Sequence, residues 1–207
     1  MKRITAPIIL VLSLILFTSC FDIMEEVNFN KNNSGTFKFY FQFKNASILQ
    51  QKANNEMANT INEIRNVNNI YGIRNFEYIV NNEQYQFGLQ FNFDNINVLN
   101  QALQIIFKTD STTYFAEQDG QIIRYEHNNI MQNIDENLGE SKAYLDINQL
   151  FNDATYTTKY TFESKIDSTK NKNTNIDANT ASNTLYLINK EKNIKSKTLA
   201  DTIYISK

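Results

Sequence analysis

This chain has few residues with which to do chemistry. Among its 207 residues there is one cysteine, Cys20, and one histidine, His127. Cys20 ends an oily run, "LVLSLILFTSC", and has no second cysteine to pair with. His127 could serve as a general base, because an unperturbed imidazole titrates near neutrality. It closes a strand beside Asn128 and Asn129, and we read it as a turn histidine. One histidine cannot build a Ser-His-Asp or Cys-His arrangement or a His-rich metal cluster within a single chain. No P-loop, GxGxxG or HExxH run occurs. The sequence therefore assigns no catalytic residue, no metal ligand and no cofactor.

Oxygen chemistry is the remaining resource. Glu25 and Glu26 could form an export signal, and we read them instead as two solvated acids on an edge strand, where charge discourages edge-to-edge pairing. The ladder Asn171, Asn173, Asn175, Asp177, Asn179 offers oxygens at alternate positions, as a calcium loop does. It holds one carboxylate and no glycine for the sharp turn, so we read it as solvated loop; "DENLGE" at 135–140 also lacks ligand spacing. Glycoside hydrolysis needs only two suitably spaced acids, but no pair stands out from the rest.

The segment carrying Cys20 has its own logic. Lys2 and Arg3 form a basic start, and Ile8 to Phe17 form an apolar run of roughly ten residues, signal-peptide length and short of the ~20 residues a membrane span needs. Phe17-Thr18-Ser19-Cys20 then resembles the lipobox of bacterial lipoproteins. That resemblance implies cleavage between Ser19 and Cys20, removal of 1–19, and acyl chains on Cys20. Each buried methylene contributes about 0.8 kcal/mol, so two or three chains hold a protein on a membrane far more firmly than one. Residues 20–26 would be the lipidated tether, and the body would face the periplasm or cell exterior from the inner or outer membrane.

Removing 1–19 takes away Lys2 and Arg3 and lowers the net charge from −2 to −4. That argues against a nucleic-acid role, which normally shows a basic patch. Residues 27–207 suit a single domain.

The elements follow from periodicity. "TFKFYFQF" alternates, with Phe37, Phe39, Phe41 and Phe43 on one face, and should pair as a hairpin with a strand near Glu26–Asn30. Ile48 to Val67 reads as a helix with Leu49, Ala53, Met57, Ile61 and Ile64 in one stripe. "IYGIRNFEYIV" and "YQFGLQFNF" read as strands, the second placing Tyr85, Phe87, Leu89, Phe91 and Phe93 inward. Asp94 or Asn95 should cap a second helix with stripe Val98, Leu99, Ala102, Leu103, Ile106. Asp119-Gly120 suits a type I′ hairpin turn. Residues 129–153 look partly helical; strands follow, interrupted near 166–182 by a polar, mobile loop. The order β-β-α-β-β-α-β-β predicts an α+β fold: an antiparallel sheet with two amphipathic helices packed on one face, then further C-terminal strands.

The run "SCFDIMEEVNFNKNNSGTFKFYF", with "YGIRNFEYI" and "FGLQFNFDNINVLNQAL", resembles a group of uncharacterised Bacteroidota lipoproteins, and more distantly LppM-type domains, lipid-anchored α+β folds suggested to handle lipid. In that phylum exported proteins are modified at Asp followed by Ser or Thr and then an apolar residue or Thr. The resemblance makes Ser111, Ser168 and Thr202 candidate O-glycan sites. Functionally we expect a lipid-anchored, non-enzymatic binding or scaffolding domain of the cell envelope, with an envelope protein or lipid as partner. The alternatives are a carrier or sensor of a hydrophobic ligand in a pocket lined by the aromatic stripes, and a carboxylate-pair hydrolase.

Overall fold

The alternating segments do form strands, and they sort into two sheets. A computed structural model describes residues 21–43, 64–81, 83–107, 109, 112–125, 154–186 and 198–206. Eleven strands are present among them: β1 (Phe21–Phe29), β2 (Gly35–Phe43), β3 (Ile73–Asn81), β4 (Gln86–Phe93), β5 (Phe115–Gln118), β6 (Gln121–Arg124), β7 (Thr155–Phe162), β8 (Ile166–Thr169), β9 (Asn175–Asp177), β10 (Thr180–Tyr186) and β11 (Asp201–Ile205). One α-helix, α1 (Ile96–Ile106), follows β4, and a 3₁₀ turn covers Arg65–Asn69. The first sheet has the order β3-β4-β2-β1-β7-β10-β9, and the second β5-β6-β11-β8. Pairing is antiparallel except between β1 and β7, which run parallel from Asp22 opposite Thr155 to Phe29 opposite Phe162.

The phenylalanine alternation of β2 and β4 buries one face: Phe37 and Phe39 from β2, Phe87, Leu89, Phe91 and Phe93 from β4. Against that face lie Val98, Leu99, Ala102 and Leu103 of α1 and Phe115, Ile122, Ile166 and Ile203 of the second sheet, in one core. Asn95 caps α1, its side chain accepting from the Val98 N–H at 3.1 Å. At the β5–β6 turn Asp119 and Gly120 both have positive φ, 54° and 76°, as a type I′ turn requires. A central strand also holds a glycine for lack of room. A Cβ on Gly88 would sit 2.0 Å from the Phe39 carbonyl oxygen.

Three expectations need correction. The fold is mostly β, with one helix and two sheets among the described residues, so the two-helix α+β sandwich is wrong. Alternation assigns faces but says nothing about partners, and the β5–β6 hairpin leaves the first sheet to pair with β11. The expected helix from Ile48 lies outside the described residues except at its end, where the 3₁₀ turn stands. Residues 21–26, expected as a tether, belong to β1, which is hydrogen-bonded on both sides. The segment near 166–182 is built as β8, β9 and the start of β10, because polar side chains hold it where apolar burial does not. Asn179 Nδ2 donates to the Phe162 carbonyl at 2.6 Å, and Asn171 Nδ2 donates to those of Thr198 and Ala200.

Candidate functional site

β1 is the middle strand of the larger sheet, and its inward face reads Ile23, Glu25, Val27, Phe29. Glu25 is therefore no solvated acid. It is 1 % exposed, in the core with its apolar neighbours. On the adjacent β7, Tyr156 and Tyr160 point to the same side as Glu25. The Tyr156 hydroxyl donates to Glu25 Oε2 at 2.6 Å, and the Tyr160 hydroxyl donates to Oε1 at 2.9 Å. Arg124, the last residue of β6 in the other sheet, reaches across. Its Nη2 lies 3.3 Å from Glu25 Oε2, its Nε donates to the Tyr160 hydroxyl at 2.8 Å, and its Nη1 donates to the Tyr125 carbonyl at 2.7 Å. One carboxylate, one guanidinium and two phenols thus cross-link the two sheets.

The electrostatics follow from burial. Burial and the adjacent Glu25 carboxylate push both phenols well above their ordinary value, although Arg124 partly opposes this. For Arg124, burial works against the charge, but Tyr160 and Glu25 outweigh it and hold the guanidinium above its usual range. On the opposite face Tyr40 is pushed up to about 12 by burial and by Glu26, whose carboxylate accepts its hydroxyl at 3.2 Å. These phenols keep protons in the folded chain that the unfolded chain gives up above about pH 10. Stability should accordingly fall as pH rises from 10 to 12, by at most about 1.4 kcal/mol per pH unit for each of Tyr156 and Tyr160 and by less for the more solvated Tyr40. Urea denaturation at stepped alkaline pH checks this, and a flat profile would contradict the burial of the phenols.

A carboxylate held by three donors has little left to offer a substrate. Both Glu25 oxygens are occupied, and both charged side chains are 1 % exposed. A cleft of about 200 Å³ opens between the sheets near the β1–β2 turn, lined by residues including Phe29, Asn30, Glu117, Ile122, Phe162 and Glu163, and none of the four network residues lines it. It falls below the ~300–1,000 Å³ of ordinary small-molecule sites. Chemically, the network is suited to fixing two sheets in one register.

Cys20, Ser19, Ser111 and His127 lie outside the described residues. Ser168 is exposed on β8, at the edge of the second sheet. Thr202 is 9 % exposed within β11, so a glycan there would have to precede folding. The asparagine ladder does not converge. Asn171 and Asn179 bind backbone groups, whereas Asn175 and Asp177 face solvent on β9. Among the described residues no three His, Cys, Asp or Glu side chains converge on a metal position. The aromatic stripes pack on one another: Phe29 touches Phe93, Phe115 and Phe162, and Phe39 meets Phe107 edge to face.

Sequence reasoning missed the network, although one signal for it was present. Glu25 alternates with Ile23, Val27 and Phe29, a lone acid on an apolar face. Nothing in the sequence named Arg124 as its partner.

No family model matches the chain, and no curated protein matches it. Among solved structures, the folded domain of the LppM protein of Mycobacterium tuberculosis is similar over 92 % of this chain and 94 % of that one, with TM-score 0.44 and 8 % identity. Among the described residues no helix is long and apolar enough to cross a membrane.

Proposed function

We infer that the chain is a lipoprotein of the bacterial cell envelope, cut before Cys20 and held on a bilayer by acyl chains at that residue. Its folded domain binds or scaffolds an envelope partner and does no covalent chemistry. The observation that carries this reading is the ordered series of basic start, short apolar run and Phe17-Thr18-Ser19-Cys20, with the only thiol in the chain at its end. The non-enzymatic part is supported by the saturation of Glu25, whose oxygens are taken by Tyr156, Tyr160 and Arg124. The packing of aromatic rings against one another favours a binding surface over an internal lipid pocket.

Metabolic labelling with radioactive palmitate tests the anchor. Wild-type protein should carry label and sediment with membranes, whereas Cys20→Ala should carry none. Equal labelling of the two, or none in either, would defeat the reading.

A further inference from the structure

The cleft at the Phe29–Phe162 end of the larger sheet is too small for an ordinary ligand and well sized for one side chain. Its walls come from the β1–β2 turn, the β5–β6 hairpin, the stretch after Phe162 and the end of β11. Inside lie Phe29 and Phe162, their rings stacked 5.3 Å apart, and Ile122 from the second sheet, all at most 3 % exposed. The rim is polar. Glu117 stands on the wall made by the second sheet, and Glu163 and Lys31 stand on the wall made by the first. A volume of about 200 Å³ accommodates about seven groups of water size, at ~30 Å³ each.

Both acids are fixed before any partner arrives. Glu117 Oε1 accepts the Gly120 N–H at 3.0 Å, and Glu163 Oε2 accepts the Lys31 N–H at 2.9 Å. Each bond holds a carboxylate against its own turn while using one of its roughly four acceptor positions. A side chain that is already positioned loses less freedom on binding than one that must first be ordered. An apolar interior under an acidic rim is the complement of a long cationic side chain, which buries its stem and keeps its charged head at the surface. Arginine matches it in size and in donors. Its three methylenes and guanidinium amount to about seven heavy atoms, which is what the volume accommodates. Its donors form a planar fork that can bridge carboxylates on opposite walls, where an ammonium acts as a point charge.

We propose that this cleft is an anchor pocket for one arginine side chain of an envelope protein, with its methylenes against Phe29, Phe162 and Ile122 and its guanidinium between Glu117 and Glu163. This rests on the reading of the folded domain as a partner-binding module and adds the chemistry of the partner. Arginine seated in a pocket is among the residues that dominate binding energy at protein interfaces. Lys31 is the opposing charge on the rim, and it sets the sign of the most telling variant.

The probe is N-acetyl-arginine methylamide, which carries the side chain and no other charge. It is titrated at low salt into the full-length, palmitate-bearing chain in detergent, labelled for amide NMR. The amide resonances of Lys31, Gly120 and Ser164 should shift, with a dissociation constant of about a millimolar, as suits so few atoms. The citrulline counterpart keeps the shape without the charge and should bind about fivefold more weakly, or worse. Glu117→Gln and Glu163→Gln each retain an oxygen for the turn amide, so both turns survive. Each should weaken arginine binding about twofold to fivefold, the range for solvent-exposed ion pairs, and Lys31→Gln should strengthen it by a similar factor. Equal affinity for the two probes, a Lys31→Gln chain that binds no better, or shifts confined to other parts of the chain would overturn the pocket and leave the anchor standing. Absence of palmitate would defeat the envelope reading and with it the identity of the partner.

Discussion

Replacing Arg124 with methionine should destabilise the soluble chain from Phe21 onward by about 3–5 kcal/mol, the cost of leaving one member of a buried ion pair without its partner. For a chain of this size that lowers the thermal midpoint by about 10 °C. The size of the effect follows from position. Arg124 and Glu25 are sealed in the core, and removing the guanidinium takes away one donor to the Glu25 carboxylate, one donor to the Tyr160 hydroxyl and one to the Tyr125 carbonyl. Among the described residues, the carboxylate is left with two phenols as donors. A second variant, Glu25→Leu with Arg124→Met, removes both charges, and its cost should be smaller than the sum of the two single substitutions. Such a shortfall is the signature of direct coupling. A cost below about 1 kcal/mol for Arg124→Met, typical of solvated pairs, would mean that the two sheets are not bolted here.

The second large effect should come from Asn100→Leu, a substitution that keeps shape and removes polarity. Asn100 sits on the buried face of α1 and acts as a piece of strand for its neighbours. Its Oδ1 accepts from the Tyr114 and Phe115 N–H groups at 2.9 Å, and its Nδ2 donates to the Phe115 carbonyl at 2.8 Å. A buried polar group left unpaired costs roughly 1–3 kcal/mol, and leucine strands three of them, so a loss of at least about 3 kcal/mol is expected in urea denaturation. Hydrogen exchange gives the local signature. The amide protons of Tyr114 and Phe115 should exchange faster in the variant, while those of β4 should exchange at a rate set only by the lost global stability. Unchanged exchange at both positions would refute the role given to Asn100.

These two residues also mark where the sequence can be read and where it cannot. Faces were legible. The phenylalanine stripes of β2 and β4, the stripe of α1, the Asn95 cap and the Asp119-Gly120 turn are local patterns, and local patterns fix dihedrals and burial. Partners were not legible. A strand of period two pairs equally well with any other of matching length, so the sequence did not disclose that β5 and β6 join β11, or that β7 lies beside β1. Polar residues were misread for the same reason. Glu25 looks solvated until Arg124 arrives from the other sheet, and the asparagine-rich segment near 171–179 looks mobile until the Thr198–Asp201 stretch supplies its hydrogen-bond partners. Asn100 carried no signal beyond its place on an apolar stripe.

The parallel pairing of β1 with β7 has a consequence for how the molecule is made. Tyr156 meets Glu25 across 131 positions of sequence, so β1 waits for one of its two neighbours until β7 has been made. Loop closure over that distance is slow compared with local turn formation, and chains dominated by such contacts are late folders. On the lipoprotein reading proposed above, a polypeptide that delays closing its central strand would stay threadable through a translocon, and the residue just ahead of that strand would stay reachable for a processing enzyme until export is complete.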